Sequence, residues 1–502
     1  MDLKHFLGFG LIGAVVLTSG CGGSSSNSSS STPTTVDAKL KTVIATLALT
    51  GDPSSARSIP AIESPKAQLG MKLFFSKALG GDQDSACVTC HHPALGGGDD
   101  LSLSVGVEAD IPDLLGPGRA HSSAGTHFDG GPTVPRNAPT TFNIALYDQV
   151  LFHDGRVESL TKTPGTNGSD GGIRTPDSSF GEPDPNAGAN LTVAQARFPV
   201  TSPEEMRGFT FEAGNTNADV RTHLSQRLQN VLSELATNNW LAEFRTGFGD
   251  ETGTAETLIT FDNIADAIAA YENSQIFVDT PWKAYIAGDA NAISDEAKEG
   301  ALLFYGSIED GGANCAACHS GDFFTDEKFH AIAIPQIGRG KGNDNGTVTT
   351  DDFGRFRETG NEDDRYAFRT PALLNVTETG PWGHSGAYTT LEGVVRHHLN
   401  PEVAIGNYDL TQLDDNIQIA DITVNTQAAL TKLLQNRSDG KSLLVDVSLT
   451  DTQVNQLLAF LTALTDSCVT DRDCLASWIP AESDSDPDSL RVNAVDLNST
   501  PL

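Results

Sequence analysis

The stretch Cys87-Val88-Thr89-Cys90-His91 decides how this chain is read, and it recurs as Cys315-Ala316-Ala317-Cys318-His319. In C-x-x-C-H the two thiols form thioethers with the vinyl groups of a haem, and the histidine behind them ligates its iron. A zinc site pairs two C-x-x-C units or adds a distant H-x-H, and a redox dithiol opens a helix in a βαβ unit. Neither asks for a histidine directly after both cysteine pairs. Two covalently bound haems c are expected, attached through Cys87, Cys90, Cys315 and Cys318, with His91 and His319 as proximal iron ligands.

Working outward, each motif follows an apolar helical stretch, Leu69–Phe75 and Ser294–Tyr305, so the two segments read as a diverged internal duplication. Helical patterns also occur at Val36–Leu49, Asp219–Thr237 and Phe261–Ser274. Within Asp451–Thr465 the spacing of Val454, Leu457, Leu458, Leu461 and Leu464 predicts an apolar helix that closes the second haem segment. Strand signals are few, so the expected fold is mainly α. Residues 41–290 are assigned to an N-terminal haem domain and 291–480 to a C-terminal one. Two long stretches rich in Gly, Pro, Asp and Ser, 107–135 and 164–190, read as irregular surface insertions placed to act as lids. The acidic tail 481–502 is expected to be extended or disordered.

Among its 502 residues, 38% are hydrophobic and 20% charged, the balance of a soluble globular protein. A formal net charge of −34 excludes nucleic acid as a partner and suits a basic protein instead. The N-terminus carries Lys4 and His5, an apolar run from Phe6 to Leu17, then Ser19-Gly20-Cys21. This is a secretory signal over 1–21, and it resembles a bacterial lipobox with Cys21 as the lipidated first residue of the mature chain. Thr18 departs from that pattern, so simple cleavage is the alternative. A Gly/Ser-rich flexible tether follows over 22–40. No later stretch has the length of a transmembrane helix. The expected location is the periplasm, anchored to the membrane by lipid alone. Of seven cysteines, four belong to the haem motifs and one to the lipobox, which leaves Cys468 and Cys474 to form a disulfide in an oxidising compartment.

Further blocks stand in a fixed order around the two motifs. They are Pro135-Arg136-Asn137-Ala138-Pro139-Thr140, Asp154-Gly155-Arg156, Pro203-Glu204-Glu205-Met206, Phe368-Arg369-Thr370-Pro371, Pro381-Trp382-Gly383-His384-Ser385-Gly386 and Leu391-Glu392-Gly393-Val394-Val395. With them the chain resembles the bacterial di-haem cytochrome c peroxidase and MauG superfamily over roughly Leu69 to Thr465. The resemblance implies two cytochrome c-like α-domains facing each other with a calcium ion between them. Peroxide reacts at the N-terminal haem and electrons enter at the C-terminal one. Such proteins are often homodimers.

Carried over residue by residue, the resemblance makes Glu205 the proton-transfer group at the peroxide site and Gln195 its hydrogen-bonding partner for peroxide. Glu205 also suits a helix N-terminus, where a carboxylate is favoured. The loop that would supply a displaceable ligand to the first haem is expanded here, and His127, His121 or no histidine are the alternatives. Counting from Leu391 places His398 as distal ligand of the second haem, with His397 as runner-up. The chain has only Met1, Met71 and Met206, which excludes a methionine there. Bis-histidine ligation favours ferric iron and lowers the potential. His384 is expected behind the ligands. The family's relay tryptophan is replaced by His153, leaving Trp382 or Phe152 as aromatic stepping stones. Calcium would take Asn137, Thr379 and Pro381 as oxygen ligands.

Two enzymatic readings follow. One is a periplasmic peroxidase that reduces hydrogen peroxide to water with electrons from a small c-type cytochrome or cupredoxin. The other is a MauG-like enzyme that oxidises Trp or Tyr side chains of a partner protein through high-valent iron. A purely electron-transferring di-haem cytochrome is the third reading, and it gives no reason for Gln195 and Glu205.

Overall fold

Two pairs of crossed helices carry the architecture. The structure, a computed structural model, describes residues 35–342 and 350–502, so the signal segment, Cys21 and most of the tether lie outside the described residues. In the first pair, Ser64 caps the Pro65–Phe75 helix by accepting from Ala67 N, and Pro65 fills its first turn. This helix lies so close to Phe261–Asn273 that a Cβ on Gly70 would stand 1.9 Å from the Ala267 carbonyl oxygen. In the second pair, Asp295–Tyr305, capped by Ser294, packs on Asp451–Thr462, and a Cβ on Gly300 would stand 1.8 Å from the Gln456 carbonyl oxygen. Phe74 meets Tyr271 with ring centroids 4.9 Å apart, and at the corresponding place Phe304 meets Phe460 at 5.2 Å. The two crossings are thus built alike, each with a glycine at the close approach and an aromatic pair beside it.

Each pair nucleates a hydrophobic core, and each motif sits against one of them. Cys87 packs on the first core and Cys315 on the second. Both cores recruit distant chain. The Val36–Leu47 helix buries Leu40 completely in the second core, and Trp282 and Tyr285 of the Pro281–Ile286 helix join it. In the other direction Val469, Leu475, Ile479 and Val492 pack into the first core. The division at 290/291 and the tether boundary at 40 therefore do not follow the packing. The apolar side chains of the outlying segments find their burial in the opposite half.

The tail, expected to be extended or disordered, is extended and bound to the body of the protein. Phe75 O accepts from Val492 N at 2.8 Å, and the buried Asp488 carboxylate accepts from Trp240 Nε1 at 2.9 Å and from Ser76 Oγ at 2.7 Å. An acidic composition hid a few apolar and hydrogen-bonding anchors. Cys468 and Cys474 form the expected disulfide at the start of this strap, with Cα atoms 5.3 Å apart.

Sheet is sparse. Val150–Leu151, Val157–Ser159 and Ile173–Arg174 form three short antiparallel strands, with Val150 opposite Glu158 and Glu158 opposite Arg174. Phe329–Ala331 pairs with Ala367–Arg369 in register Phe329 to Arg369. The insertions have internal order: buried Arg119 donates to the carbonyls of Val105, Gly106, Pro112 and Leu114 at 2.7–3.0 Å.

Candidate functional site

The second C-x-x-C-H opens onto a cavity of about 410 Å³. Cys315, Cys318 and His319 line one wall, and Trp382, His384 and His398 line others. His319 Nδ1 donates to Phe324 O at 3.1 Å, which leaves Nε2 available as a ligand. His398 sits near the end of the Leu391–Leu399 helix, and its Nδ1 donates to Val394 O at 2.8 Å. The two imidazoles face each other with centroids 6.4 Å apart. A gap of that size would accommodate one metal ion with two metal–nitrogen bonds of about 2.0–2.1 Å, the length typical of imidazole ligation. Burial pushes His319 down to about 4 and lowers His398 too, so both rings are neutral and can ligate. His397 is not available: its Nδ1 accepts from Tyr388 OH and its Nε2 donates to Ile332 O, both at 2.8 Å.

At the first motif His91 Nδ1 donates to Gly97 O at 3.2 Å, and burial pushes the ring down to about 4. Met206 Sδ lies 4.0 Å from Cys87 Sγ, which brings the Pro203–Arg207 turn, and with it Glu205, onto this motif. The turn is π-helical, a geometry frequent at functional sites. Burial first, then neighbouring negative charge that includes Glu205, raises both Cys87 and Cys90. Gln195, on the Leu191–Ala196 helix, has a buried Oε1 with no partner. Such an atom calls for a partner, which ordered water, an ion or a ligand can supply.

Neither loop histidine is seated at the first motif. His121 is buried with both nitrogens engaged, Nδ1 to Gly131 O at 3.1 Å and Nε2 to Glu108 Oε2 at 3.2 Å. His127 is exposed and stacks on Phe209 with centroids 4.1 Å apart. The expanded loop thus spends its histidines on itself and on the surface.

Comparison with known proteins agrees with this arrangement. Residues 64–291 match the family model for di-haem cytochrome c peroxidases. The methylamine utilization protein MauG of Methylorubrum extorquens is 29% identical, over 66% of this chain and 68% of its own. Cytochrome c551 peroxidase of Pseudomonas aeruginosa is 27% identical, over 66% of this chain and 71% of its own. Among solved structures, the diheme peroxidase BthA from Burkholderia thailandensis shares the fold with a TM-score of 0.52, covering 87% of this chain and 92% of its own at 19% identity. Over residues 64–291 the chain is thus similar to the di-haem cytochrome c peroxidases, and its relatives include proteins named MauG and cytochrome c peroxidase.

The residues fit the haems of that family. The four motif cysteines form no disulfide, and the two pairs stand in separate cores, which rules out a shared four-cysteine metal site. Asn137, Thr379 and Pro381 line the same cavity as His319 and His398. Asn137 also donates through Nδ2 to Leu101 O at 2.9 Å and accepts at its own carbonyl from His153 Nε2 at 3.0 Å. His153 is therefore a neutral donor; burial, then Arg136, pushes it down to about 4. His384 stacks on Phe368 at 3.6 Å, and neither ring nitrogen has a partner.

Sequence reasoning missed a charged cluster behind Glu205. Arg136 donates to Asp352 at 2.6 and 2.8 Å and to Asp154 at 2.6 Å, and Arg156 lies 3.3 Å from Asp154 and 3.7 Å from Glu205. The Arg136 and Asp154-Gly155-Arg156 blocks signalled it, but only the fold joins them to Asp352 and Glu205.

Proposed function

We propose that this protein is a periplasmic di-haem peroxidase that reduces hydrogen peroxide to water with electrons from a small c-type cytochrome or cupredoxin. The asymmetry of the two sites carries this reading. The Glu205 turn packs on the first motif through Met206, whereas His398 faces His319 at the second, and this supports an open first site with Glu205 and Gln195 as its polar groups. When bound, haem supplies redox-active iron that cleaves the O–O bond and passes on electrons. Cys87, Cys90 and His91 would hold one haem, and Cys315, Cys318, His319 and His398 would hold the other. The Glu205 carboxylate takes a proton from one peroxide oxygen and returns it to the other, which leaves as water. The Gln195 amide orients the peroxide. Each turnover consumes two electrons and two protons and yields two waters. Asn137, Thr379 and Pro381 are the proposed calcium ligands, a hard oxygen set. No helix of the described residues is long and apolar enough to cross a membrane. The secretory signal and Cys21 support export and a lipid anchor.

The MauG-like reading, oxidation of Trp or Tyr in a partner protein, is favoured by two observations: imidazole in place of methionine at the second site and His153 in place of the relay tryptophan. Peroxide-dependent oxidation of a pre-reduced small cytochrome by calcium-loaded holoprotein separates the two. Fast turnover without prior reduction, lost in Glu205→Ala, is expected. Turnover that requires prior one-electron reduction sinks the open first site. No turnover with the cytochrome, but oxidised aromatic residues in a partner, moves the assignment to the second reading.

A further inference from the structure

Arg156 is held more rigidly than a surface arginine of a turn needs to be. Its backbone turn, Asp154–Arg156, passes Gly155 at φ +66°, where a Cβ would stand 2.3 Å from Phe329 Cζ and 2.7 Å from Arg355 Nη1. The turn's carbonyls are clamped from outside. Arg355 Nη1 donates to Asp154 O at 3.1 Å and Gly155 O at 2.7 Å, and Arg174 Nη2 donates to Gly155 O at 2.7 Å. The side chain is fixed in turn. One edge of the guanidinium lies 3.3 Å from the fully buried Asp154 carboxylate, and its carbon sits 3.6 Å from the centroid of the Phe152 ring. What remains free to reach outward is Nη2, and it lies 3.7 Å from Glu205 Oε1.

We infer that Arg156 is a positioning residue that holds the Glu205 carboxylate in the orientation from which it exchanges protons at the first site. This rests on the proposed role of Glu205. The turn that carries Glu205 has a π-helical, irregular backbone, so its carboxylate needs an external anchor, and Arg156 is built on clamped chain. Among the described residues, Arg136, Arg156 and Lys341 face Asp154, Asp352 and Glu205, three cations against three anions. Lys341 is pushed down to about 8 by burial and then by the two arginines. Glu204 turns away to Ser202 Oγ at 3.2 Å. Loss of Arg156 alone leaves the anions in excess, with Glu205 the member free to respond by rotating or taking up a proton.

The test compares Arg156→Gln, Arg156→Lys, Glu205→Gln and the Arg156→Gln/Glu205→Gln double variant as calcium-loaded holoproteins. Two readouts are taken across pH: the rate of reaction with peroxide, and cyanide binding to the ferric first haem followed by its absorption spectrum. Arg156→Gln is expected to slow the peroxide step about 10- to 100-fold. It should also move the acid limb of both profiles to higher pH, with KM for the electron donor unchanged. Arg156→Lys should restore the limb but only part of the rate, because a point charge lacks the fork. The double variant should match Glu205→Gln alone. Additive losses in the double variant, or an unmoved acid limb in Arg156→Gln, would overturn the positioning role. If Glu205→Gln itself reacts at full rate, the proposed function fails independently of Arg156. Should Arg156→Gln lose its haem or unfold, full activity with an unmoved limb in Arg156→Lys would decide against a directional contact.

Discussion

His398 and Glu272 show how single side chains set redox and pH behaviour. The second pocket is built for imidazole on both sides, because His319 and His398 each commit Nδ1 to a main-chain carbonyl. Replacing His398 by methionine puts a thioether where the second imidazole stands, and methionine ligation raises the potential of a haem. His398→Met is therefore expected to raise the midpoint potential of the second haem and to replace its bis-imidazole near-infrared signature; an unchanged spectrum would remove His398 from the iron. Glu272 lies fully buried on the Phe261–Asn273 helix, its Oε2 has no partner, and burial pushes it up to about 8. The folded chain therefore keeps a proton that the unfolded chain releases above about pH 4.3. Stability must fall as pH rises from there to about 8 and level off beyond. Glu272→Gln should flatten that slope and gain a few kcal/mol at pH 8, at about 1.4 kcal/mol per pKa unit, with little change at pH 4. Denaturant unfolding at the two pH values reads the difference. At this scale the C-x-x-C-H residues were legible because covalent attachment fixes their spacing, and His398 because the family resemblance carries a position seven residues after Leu391. Glu272 and Arg156 were not, since an acid in an apolar helix and an arginine in a turn reveal their neighbours only when folded.

Between elements, the two close crossings depend on glycine. At Gly300 the nearest atom is a main-chain oxygen, which cannot rotate aside as a side chain would. Gly300→Ala must push the Asp295–Tyr305 and Asp451–Thr462 helices apart and disturb the Phe304–Phe460 contact, an overpacking that costs about 1–3 kcal/mol. Gly70→Ala should act alike on the first core. Gly406→Ala is the control, because a Cβ there meets nothing within 4 Å. Thermal unfolding should rank the Gly300 and Gly70 variants well below wild type and Gly406→Ala at or above it; equal melting of all three would mean the crossings are loose. The helices themselves were largely readable from caps and apolar spacing: Asp451–Thr465 was expected and Asp451–Thr462 is observed. The stretch expected as Asp219–Thr237 stops at Leu228, because Asn230 and Ser233 adopt φ of 63° and 55° and turn the chain back. The mixed stretch 229–237 holds no Gly or Pro and so gave no warning of that stop.

Across the whole molecule, what the sequence presented as two consecutive domains is held as interlocked halves. The strap after Asp466 leaves the second core, passes through the Cys468–Cys474 knuckle and ends on the first core, where Asp488 satisfies Trp240 and Ser76. Nothing local predicts this, since the partners lie more than two hundred residues apart and an acidic tail has the composition of disorder. A chain ended after residue 480 leaves the Trp240 indole N–H and the Ser76 hydroxyl buried without acceptors, at about 1–3 kcal/mol each. It also exposes the pocket of Val492. Reducing the disulfide, which closes a loop of sequence separation 6, costs about 2 kcal/mol through the unfolded chain. Both changes should fall on the first core alone. In hydrogen exchange the Trp240–Phe248 helix of the truncated protein should lose protection while Asp451–Thr462 keeps it. Equal loss in both helices would show that the two cores unfold as one cooperative unit, and no loss in either would show that the strap binds the first core without stabilising it.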